Sequence, residues 1–284
     1  MKIFNVGLVG NGKMGKIYVN EIKKNINFKI IDILDHKNLK KKPTLIKKFF
    51  NSKKIDLFII SSPIKTHFKY LEYAYESEKN IIIEKPLVEK INQLKKLIQL
   101  NKDYKKKVMI HHNDMLNFEN TNFMKDFTNY KKIKMVEMFY GKKELVNSYK
   151  KPFFDWLPHP LAIIINFFGT PNKFKVLEYS KKIKKKLIFE KLKLVFELNY
   201  FKIFLNFSNN FKKSSKKIII YTKNKNKIYD GYDKKNQRSV KLLLEKFNKV
   251  NKINDVNSNT KVYELLFKIE EKISKKNKPK SAIN

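Results

Sequence analysis

Glycine is concentrated in one short stretch of this chain. Four of its seven glycines lie within residues 7–15, GLVGNGKMG, although the chain has 284 residues. An apolar run precedes this stretch and a helical pattern follows it, which indicates a turn from a strand into a helix. Gly10, Gly12 and Gly15 have the spacing in which the first glycine permits a tight turn, the second admits a ligand and the third permits close helix packing. The predicted binding residues of this turn are Gly10, Gly12, Lys13, Met14 and Gly15.

An acidic residue follows this turn at the distance that is typical of dinucleotide-binding folds. Asp35 ends the second apolar run, and 35 − 15 = 20 residues separate it from Gly15. An acidic side chain at this distance binds the ribose hydroxyls of a dinucleotide, whose pyrophosphate lies at the helix N-terminus. The sequence therefore predicts NAD or NADP as the cofactor. Asp35 favours NAD because a carboxylate repels a 2′-phosphate, but His36 and Lys37 could neutralise that phosphate, so both cofactors remain open.

Short apolar runs alternate with helical patterns in the first part of the chain. The runs are separated by stretches with apolar residues at i, i+3 and i+4, which is typical of amphipathic helices. This alternation predicts βαβ units with a parallel sheet, and therefore an α/β domain over residues 1–118. The candidate strands lie at residues 2–9, 28–34, 56–60, 80–84 and 107–111.

The pattern changes after residue 118. Longer strand-like runs follow one another there with few long helices between them, and two helical patterns at 240–250 and 260–273 come last. These features predict a second domain over residues 119–284, of the α+β class, built on a mostly antiparallel open sheet. The strand-like runs lie at residues 132–142, 173–180, 192–208, 216–222 and 226–232.

The chain carries a formal net charge of +38, which by itself points towards an anionic partner. However, Arg238 is the only arginine among the 64 basic residues, and the lysines are spread along the chain. Base readout and bidentate phosphate contacts favour arginine, whereas lysine supplies a point charge. We therefore expect a solvated lysine coat without a specific nucleic-acid partner, and keep a nucleic-acid-binding protein as a less favoured alternative.

Several other classes of site are not expected. The chain has no cysteine, and its five histidines lack the spacing of metal ligands, so we predict no metal site. The apolar run at 161–168 is far shorter than the roughly 20 residues needed to cross a bilayer. The first ten residues are interpreted as a strand and not as a leader peptide, because Asn5 interrupts the apolar run and glycines end it. A cytoplasmic protein without a membrane partner is expected.

Four motifs together resemble one known family. They are GNGKMG at 10–15, SSPIKTH at 61–67, EKP at 84–86 and DWLPH at 155–159. In order and spacing they are similar to the Gfo/Idh/MocA oxidoreductases, over nearly the full length of the chain. The resemblance implies a Rossmann domain followed by an open, mostly antiparallel sheet, and a homo-oligomer. It also implies an NAD(P)-dependent reaction at a hydroxyl-bearing carbon of a sugar, cyclitol or sugar nucleotide.

The EKP motif ends the fourth candidate strand, at the edge where open α/β sheets bind their ligands. The resemblance implies that Lys85 lies near the nicotinamide and the reacting oxygen, and that a cis peptide bond precedes Pro86. A cation at this place would stabilise the alkoxide that develops as the hydride leaves. Further cofactor-binding residues, by position and by resemblance, are Ser62, Pro63, His67 and Glu84.

The DWLPH motif contains the predicted acid-base residue. The resemblance implies that His159 exchanges the hydroxyl proton and that Asp155 positions it or binds a substrate hydroxyl. An imidazole suits this task because its unperturbed pKa of about 6.5 lies near neutral pH. Family members usually have glycine where this chain has Leu157 and aspartate where it has Ala162. A non-catalytic dinucleotide-binding sensor or scaffold of the same fold is therefore the alternative.

Overall fold

The computed structural model divides the chain into two compact units. The first comprises residues 1–113 and 238–260, and the second comprises residues 114–237 and 261–284. The structure describes residues 3–35, 44–121, 123, 130–143, 146–147, 152–184, 187–233, 239–251 and 253–276.

A parallel sheet of five strands forms the centre of the first unit. The strands are β1 (Phe4–Val9), β2 (Phe28–Leu34), β3 (Leu57–Ile60), β4 (Asn80–Glu84) and β5 (Val108–His111). Their order is β2-β1-β3-β4-β5, and all neighbours are parallel. Every residue of β3 and β5 is buried, which explains why these runs are apolar without alternation. The strand order reverses between β1 and β3, and ligands bind at such a switch point in open α/β sheets.

Helices join these parallel strands. They are α1 (Lys13–Lys23), α2 (Thr44–Phe50), α3 (Ile64–Glu76) and α4 (Ile91–Asn101). Each is amphipathic: α1 buries Tyr18 and Ile22, for example, while its Lys16 is exposed. The α/β prediction for the N-terminal part of the chain is thereby confirmed.

The second unit contains a larger, mostly antiparallel sheet. Only β6 and β10 pair in parallel among the described neighbouring strands. The order is β12-β11-β6-β10-β9-β7, and β8 pairs with β9. The prediction of a mostly antiparallel C-terminal sheet is therefore confirmed. The strands are β6 (Ile133–Lys143), β7 (Val146–Asn147), β8 (Lys173–Lys184), β9 (Leu187–Glu197), β10 (Lys202–Ser208), β11 (Asn210–Thr222) and β12 (Asn226–Asp230).

The remaining helices cover one face of this sheet or return to the first unit. They are α5 (Asn113–Glu119), α6 (Pro152–Trp156), α7 (Pro158–Ile163), α8 (Ser239–Lys249) and α9 (Val256–Lys276). A π-helical segment at 164–168 continues α7. Alternate residues Val136, Met138 and Tyr140 of β6 are buried, which identifies the covered face. Within the described ranges, no helix has the length and apolar composition needed to cross a bilayer.

The units do not follow the predicted division at residue 118. Helix α8 belongs to the first unit, where the ring of Phe247 lies 5.3 Å from that of Phe4 and 6.3 Å from that of Phe28. Residues 253–255 then exchange backbone hydrogen bonds with β5. The amphipathic pattern of α8 indicates a helix with an apolar face, but it contains no information on which sheet covers that face.

Candidate functional site

The three glycines of the first turn have three different environments. Gly10 has a φ of +92°, and a Cβ there would lie 2.8 Å from the Cα of Ser62. A Cβ at Gly15 would lie 2.1 Å from the carbonyl oxygen of Gly10, so helix and strand are in backbone contact. A Cβ at Gly12 would meet no atom within 4 Å. The turn therefore combines a strained bend, an open place for a ligand and a close helix contact.

The open place lies at the N-terminus of α1. Gly12 precedes this helix, and the described part of the chain supplies no side chain that caps it. The first N–H groups of a helix lack intrahelical partners, so they can bind the oxygens of a phosphate. Lys13 is exposed and Met14 half-buried in the same first turn. The geometry thus fits the pyrophosphate of a dinucleotide.

Asp35 lies beside this turn. The backbone N–H of Gly10 donates to the carbonyl oxygen of Leu34 at 2.9 Å, so the end of β2 adjoins the glycine turn. Asp35 is half-buried at that end, where a carboxylate can reach a ribose. His36 and Lys37, on which the alternative of NADP rests, lie outside the described residues.

Ser61 was not predicted from the sequence, yet it connects the glycine turn to β3. Its hydroxyl donates to the carbonyl oxygen of Gly10 at 2.9 Å. Ser62 and Pro63 follow, and Pro63 is the residue before α3. A hydroxyl that satisfies the carbonyl of a strained turn stabilises this turn. Serine is so common in loops that the sequence contains no distinctive signal for this role.

His67 connects two of the predicted cofactor segments. It is buried, with its Nε2 2.6 Å from the carbonyl oxygen of Ser62 and its Nδ1 2.7 Å from that of Pro86. Burial lowers the pKa of His67, and both carbonyl contacts oppose this shift. The imidazole therefore holds the end of β3 against the segment after β4. We interpret His67 as a residue that shapes the crevice.

Glu84 points into the first unit and belongs to a buried polar group. It is 7% exposed, accepts a hydrogen bond from the hydroxyl of Tyr18 at 3.0 Å and pairs with the imidazole of His111. Burial alone would raise the pKa of Glu84, but His111, Lys85 and Tyr18 together lower it. The half-buried Lys85 follows directly, and the peptide bond between Lys85 and Pro86 is cis, as the resemblance implies.

The second unit contains the predicted acid-base residue. His159 is 8% exposed near the start of α7, whereas Asp155 is exposed on α6 and accepts from the indole N–H of Trp156 at 3.1 Å. The carboxylate of Asp114 lies close to the imidazole, with its Oδ2 3.6 Å from Nδ1 of His159. The other oxygen of Asp114 is 2.7 Å from Nζ of Lys216. Neither Asp114 nor Lys216 is among the residues predicted from the sequence.

One signal for Asp114 was nevertheless present. It is an acidic residue three positions after the apolar run of the fifth strand, and this sheet edge commonly bears functional side chains. The sequence contains no comparable signal for Lys216, because lysines are common throughout this chain. In the described part of the chain, no group of three His, Asp or Glu side chains is arranged to hold a metal ion.

Comparison with known families gives a match for the N-terminal part of the chain. Residues 4–112 match the model of GFO_IDH_MocA, an oxidoreductase family with an NAD-binding Rossmann fold. This match confirms the predicted Rossmann fold and the predicted nicotinamide dinucleotide cofactor, while the choice between NAD and NADP stays a prediction. No curated protein matches the sequence significantly.

Solved structures resemble the chain over almost its full length. A dehydrogenase from Clostridium difficile has a TM-score of 0.73 at 15% identity and covers 95% of this chain and 100% of its own. UDP-N-acetylglucosamine 3-dehydrogenase from Acidithiobacillus ferrooxidans has a TM-score of 0.73 at 13% identity, and the match covers 95% of this chain and 97% of that protein. Biliverdin reductase from Synechocystis, solved with biliverdin and NADP⁺, has a TM-score of 0.73 at 12% identity, and the match covers 94% of this chain and 98% of that protein. At these identities the similarity establishes the fold alone.

The contact between Gly15 and Gly10 leads to a first prediction. Gly15→Ala should lower the free energy of unfolding by about 2 to 3 kcal/mol, because its methyl group would overlap the carbonyl of Gly10. The control Gly12→Ala should change it by less than about 0.5 kcal/mol, because its methyl group enters open space. Urea denaturation followed by circular dichroism measures both. Equal stabilities of the two variants would contradict the close approach.

The environment of His112 gives a prediction for acid conditions. Burial, followed by the charges of Lys85 and His111, lowers the pKa of His112 from its ordinary value of 6.5 to about 3. The unfolded chain therefore binds this proton near pH 6.5 and the folded chain does not, so stability is complete above pH 6.5 and falls with pH. Between pH 7 and 5 the loss from this group should be about 2 kcal/mol.

His112→Gln should remove this loss. Urea denaturation of wild type and variant at pH 7 and pH 5 measures the difference, and the variant should lose about 2 kcal/mol less than wild type. If both proteins lost the same stability over this range, His112 would have to be protonated in the folded state.

Proposed function

We propose that the protein is an NAD(P)-dependent dehydrogenase or reductase acting on CH–OH groups. The match of residues 4–112 to the oxidoreductase family GFO_IDH_MocA, with its NAD-binding Rossmann fold, supports this proposal. The observation that carries the proposal is the glycine turn, with open space at Gly12 beside the N-terminus of α1. The substrate is a hydroxyl-bearing sugar, cyclitol or sugar nucleotide. The similar fold of UDP-N-acetylglucosamine 3-dehydrogenase supports this substrate class.

In this proposal the first unit binds and orients the cofactor. The backbone around Gly12 and the N–H groups of α1 bind the pyrophosphate, and Asp35 binds the adenosine ribose. Ser62 and Pro63 line the crevice after β3, at the switch point of the sheet. When bound, the nicotinamide ring supplies the hydride acceptor. The buried pair of Glu84 and His111 supports the strand end that Lys85 follows.

The chain's own residues handle the proton and the developing charge. His159 takes the hydroxyl proton as the carbon loses a hydride, so the alcohol loses H⁺ and H⁻ and becomes a carbonyl. Lys85 stabilises the negative charge on the oxygen during this transfer. Asp155 is exposed, so we propose that it binds a substrate hydroxyl.

The non-catalytic alternative has one observation in its favour. Leu157 and Ala162, which stand where family members usually have glycine and aspartate, are completely buried, so these positions serve the packing of α7 in this chain. A sensor or scaffold would bind the dinucleotide without turnover. A nucleic-acid-binding protein is disfavoured, and binding that is lost at moderate salt without sequence preference would reflect the lysine coat alone.

The proposal is tested with purified protein. Mass spectrometry of copurified ligand and fluorescence titration with NADH and NADPH should identify the cofactor, and a panel of polyols, sugars and sugar nucleotides should yield a substrate. His159→Asn and Lys85→Met should each lower kcat/KM about 100-fold or more. Lys90→Met, which removes an exposed lysine from the same segment, should leave it unchanged.

The outcomes separate the candidates. His159→Asn should keep its affinity for the cofactor, because the imidazole is assigned to proton transfer. The sensor would be supported if the protein bound NAD(H) but converted no member of the panel, and if wild type and His159→Asn behaved alike in both assays. Absence of dinucleotide binding would overturn the enzymatic proposal.

We also propose that the protein forms a homo-oligomer through the face of the larger sheet that its own helices leave uncovered. The partly exposed Phe139, Phe204 and Ile219 lie on that face of neighbouring strands, in register around Glu137. Exposed apolar side chains on adjacent strands are typical of protein interfaces. The covered face carries Tyr140, so the two faces differ in burial.

Phe204→Lys tests this interface. Light scattering of wild type should give a multiple of 34.0 kDa, and the variant should give 34.0 kDa, because a lysine ammonium would be buried in the interface. Leu177→Lys, at an exposed position of β8, is the control and should keep the wild-type mass. A monomeric wild type would contradict the proposal.

A further inference from the structure

Asp114 has two oxygens with two different partners. It lies in the first turn of α5, and its side chain is 5% exposed. Oδ1 is 2.7 Å from the ammonium of Lys216, and Oδ2 is 3.6 Å from Nδ1 of His159. The carboxylate thus stands between a lysine of the sheet and an imidazole of α7.

Lys216 is held by the sheet itself. It pairs with Tyr140 in the register of β11 and β6, its side chain is 22% exposed, and its ammonium lies 5.4 Å from the ring centre of Tyr232. A buried carboxylate needs a compensating partner, since an uncompensated charge in the interior costs several kcal/mol. Lys216 supplies this compensation at Oδ1, and the geometry directs Oδ2 towards His159.

Buried phenols also lie around this carboxylate. Burial raises the pKa of Tyr140, and the charge of Asp114 raises it further, as do Tyr229 and Tyr232. Burial and Asp114 have the same effect on Tyr229, where Asp230 adds a smaller contribution. These phenols stay neutral at physiological pH. Asp114, and beyond it Lys216, are thus charged groups of this cluster on the Nδ1 side of His159.

We infer that Asp114, and not Asp155, is the positioning residue of His159: its Oδ2 accepts from Nδ1–H and thereby leaves Nε2 as the nitrogen that takes the substrate proton. The inference rests on the proposed role of His159 as the base. A neutral imidazole carries one proton, and the acceptor near one nitrogen selects the tautomer. The separation of 3.6 Å is looser than a hydrogen bond, and such catalytic contacts tighten when substrate binds.

The same carboxylate has a second effect on the reaction. A negative charge beside the ring stabilises the imidazolium that forms when His159 accepts a proton. Loss of this charge should make His159 a weaker base and should also permit the wrong tautomer. Asp155 lacks the burial that this role requires, since solvent screens the charge of an exposed carboxylate.

The test compares Asp114→Asn with the matched control Asp155→Asn. Histidine labelled with ¹⁵N reports the tautomer and the titration of each ring, and His159→Asn identifies the signal of residue 159. In Asp114→Asn the midpoint of His159 should fall by roughly 1 pH unit. In Asp155→Asn it should stay at the wild-type value. A shift in Asp155→Asn without one in Asp114→Asn would overturn the inference.

A second variant keeps the test decisive if Asp114→Asn does not fold. Lys216→Met removes the positive charge from the other side of Asp114, so the midpoint of His159 should rise. Damage to the packing alone would not produce shifts of opposite sign in the two variants. An unchanged midpoint in Lys216→Met would count against the proposed cluster.

Turnover separates this inference from the proposed function. In Asp114→Asn the acid limb of kcat/KM should move to lower pH and kcat should fall about 100-fold or more, with unchanged cofactor affinity. The NMR titration needs no substrate, so it tests the coupling of Asp114 to His159 even if no compound is oxidised. Failure of wild type to turn over any substrate would overturn the function, whereas an unshifted His159 would overturn the positioning role.

Discussion

The backbone contact between α1 and the end of β1 underlies the whole nucleotide-binding region. At Gly15 there is no room for a Cβ, because the carbonyl oxygen of Gly10 occupies its place. This approach brings the helix N-terminus to the carboxyl edge of the sheet, where its N–H groups face a ligand. Ser61 then secures the turn from β3. The strand order also reverses there, and ligands bind at such a point in open α/β sheets.

Each unit also contains a buried carboxylate next to a predicted catalytic residue. Glu84 precedes Lys85 and pairs with His111, and Asp114 lies beside His159 and pairs with Lys216. In an interior of low dielectric such charges persist only with partners, and their effect on a neighbouring group is stronger than in water. In the proposed reaction, these interior charges orient and tune Lys85 and His159.

Features set by neighbouring residues could be predicted from the sequence, whereas contacts between distant residues could not. The strand and helix types of the first unit were predicted because apolar periodicity reflects local burial. The run at 192–208 is two strands, β9 and β10, because a turn closes between Leu198 and Phe201, and that turn has no glycine or proline to mark it. The return of α8 to the first unit could not be predicted, since an apolar face does not specify its partner.

The residue types alone therefore identified the Rossmann fold and the dinucleotide. A left-handed turn, an open backbone and a close helix contact each require glycine, so these demands are visible in the order of the letters. The partners of the buried carboxylates became known only from the folded chain. Lys216 lies 102 residues from Asp114, and His111 lies 27 from Glu84. Sheet register and helix packing bring such pairs together, and neither can be inferred from the pattern of neighbouring residues in the sequence.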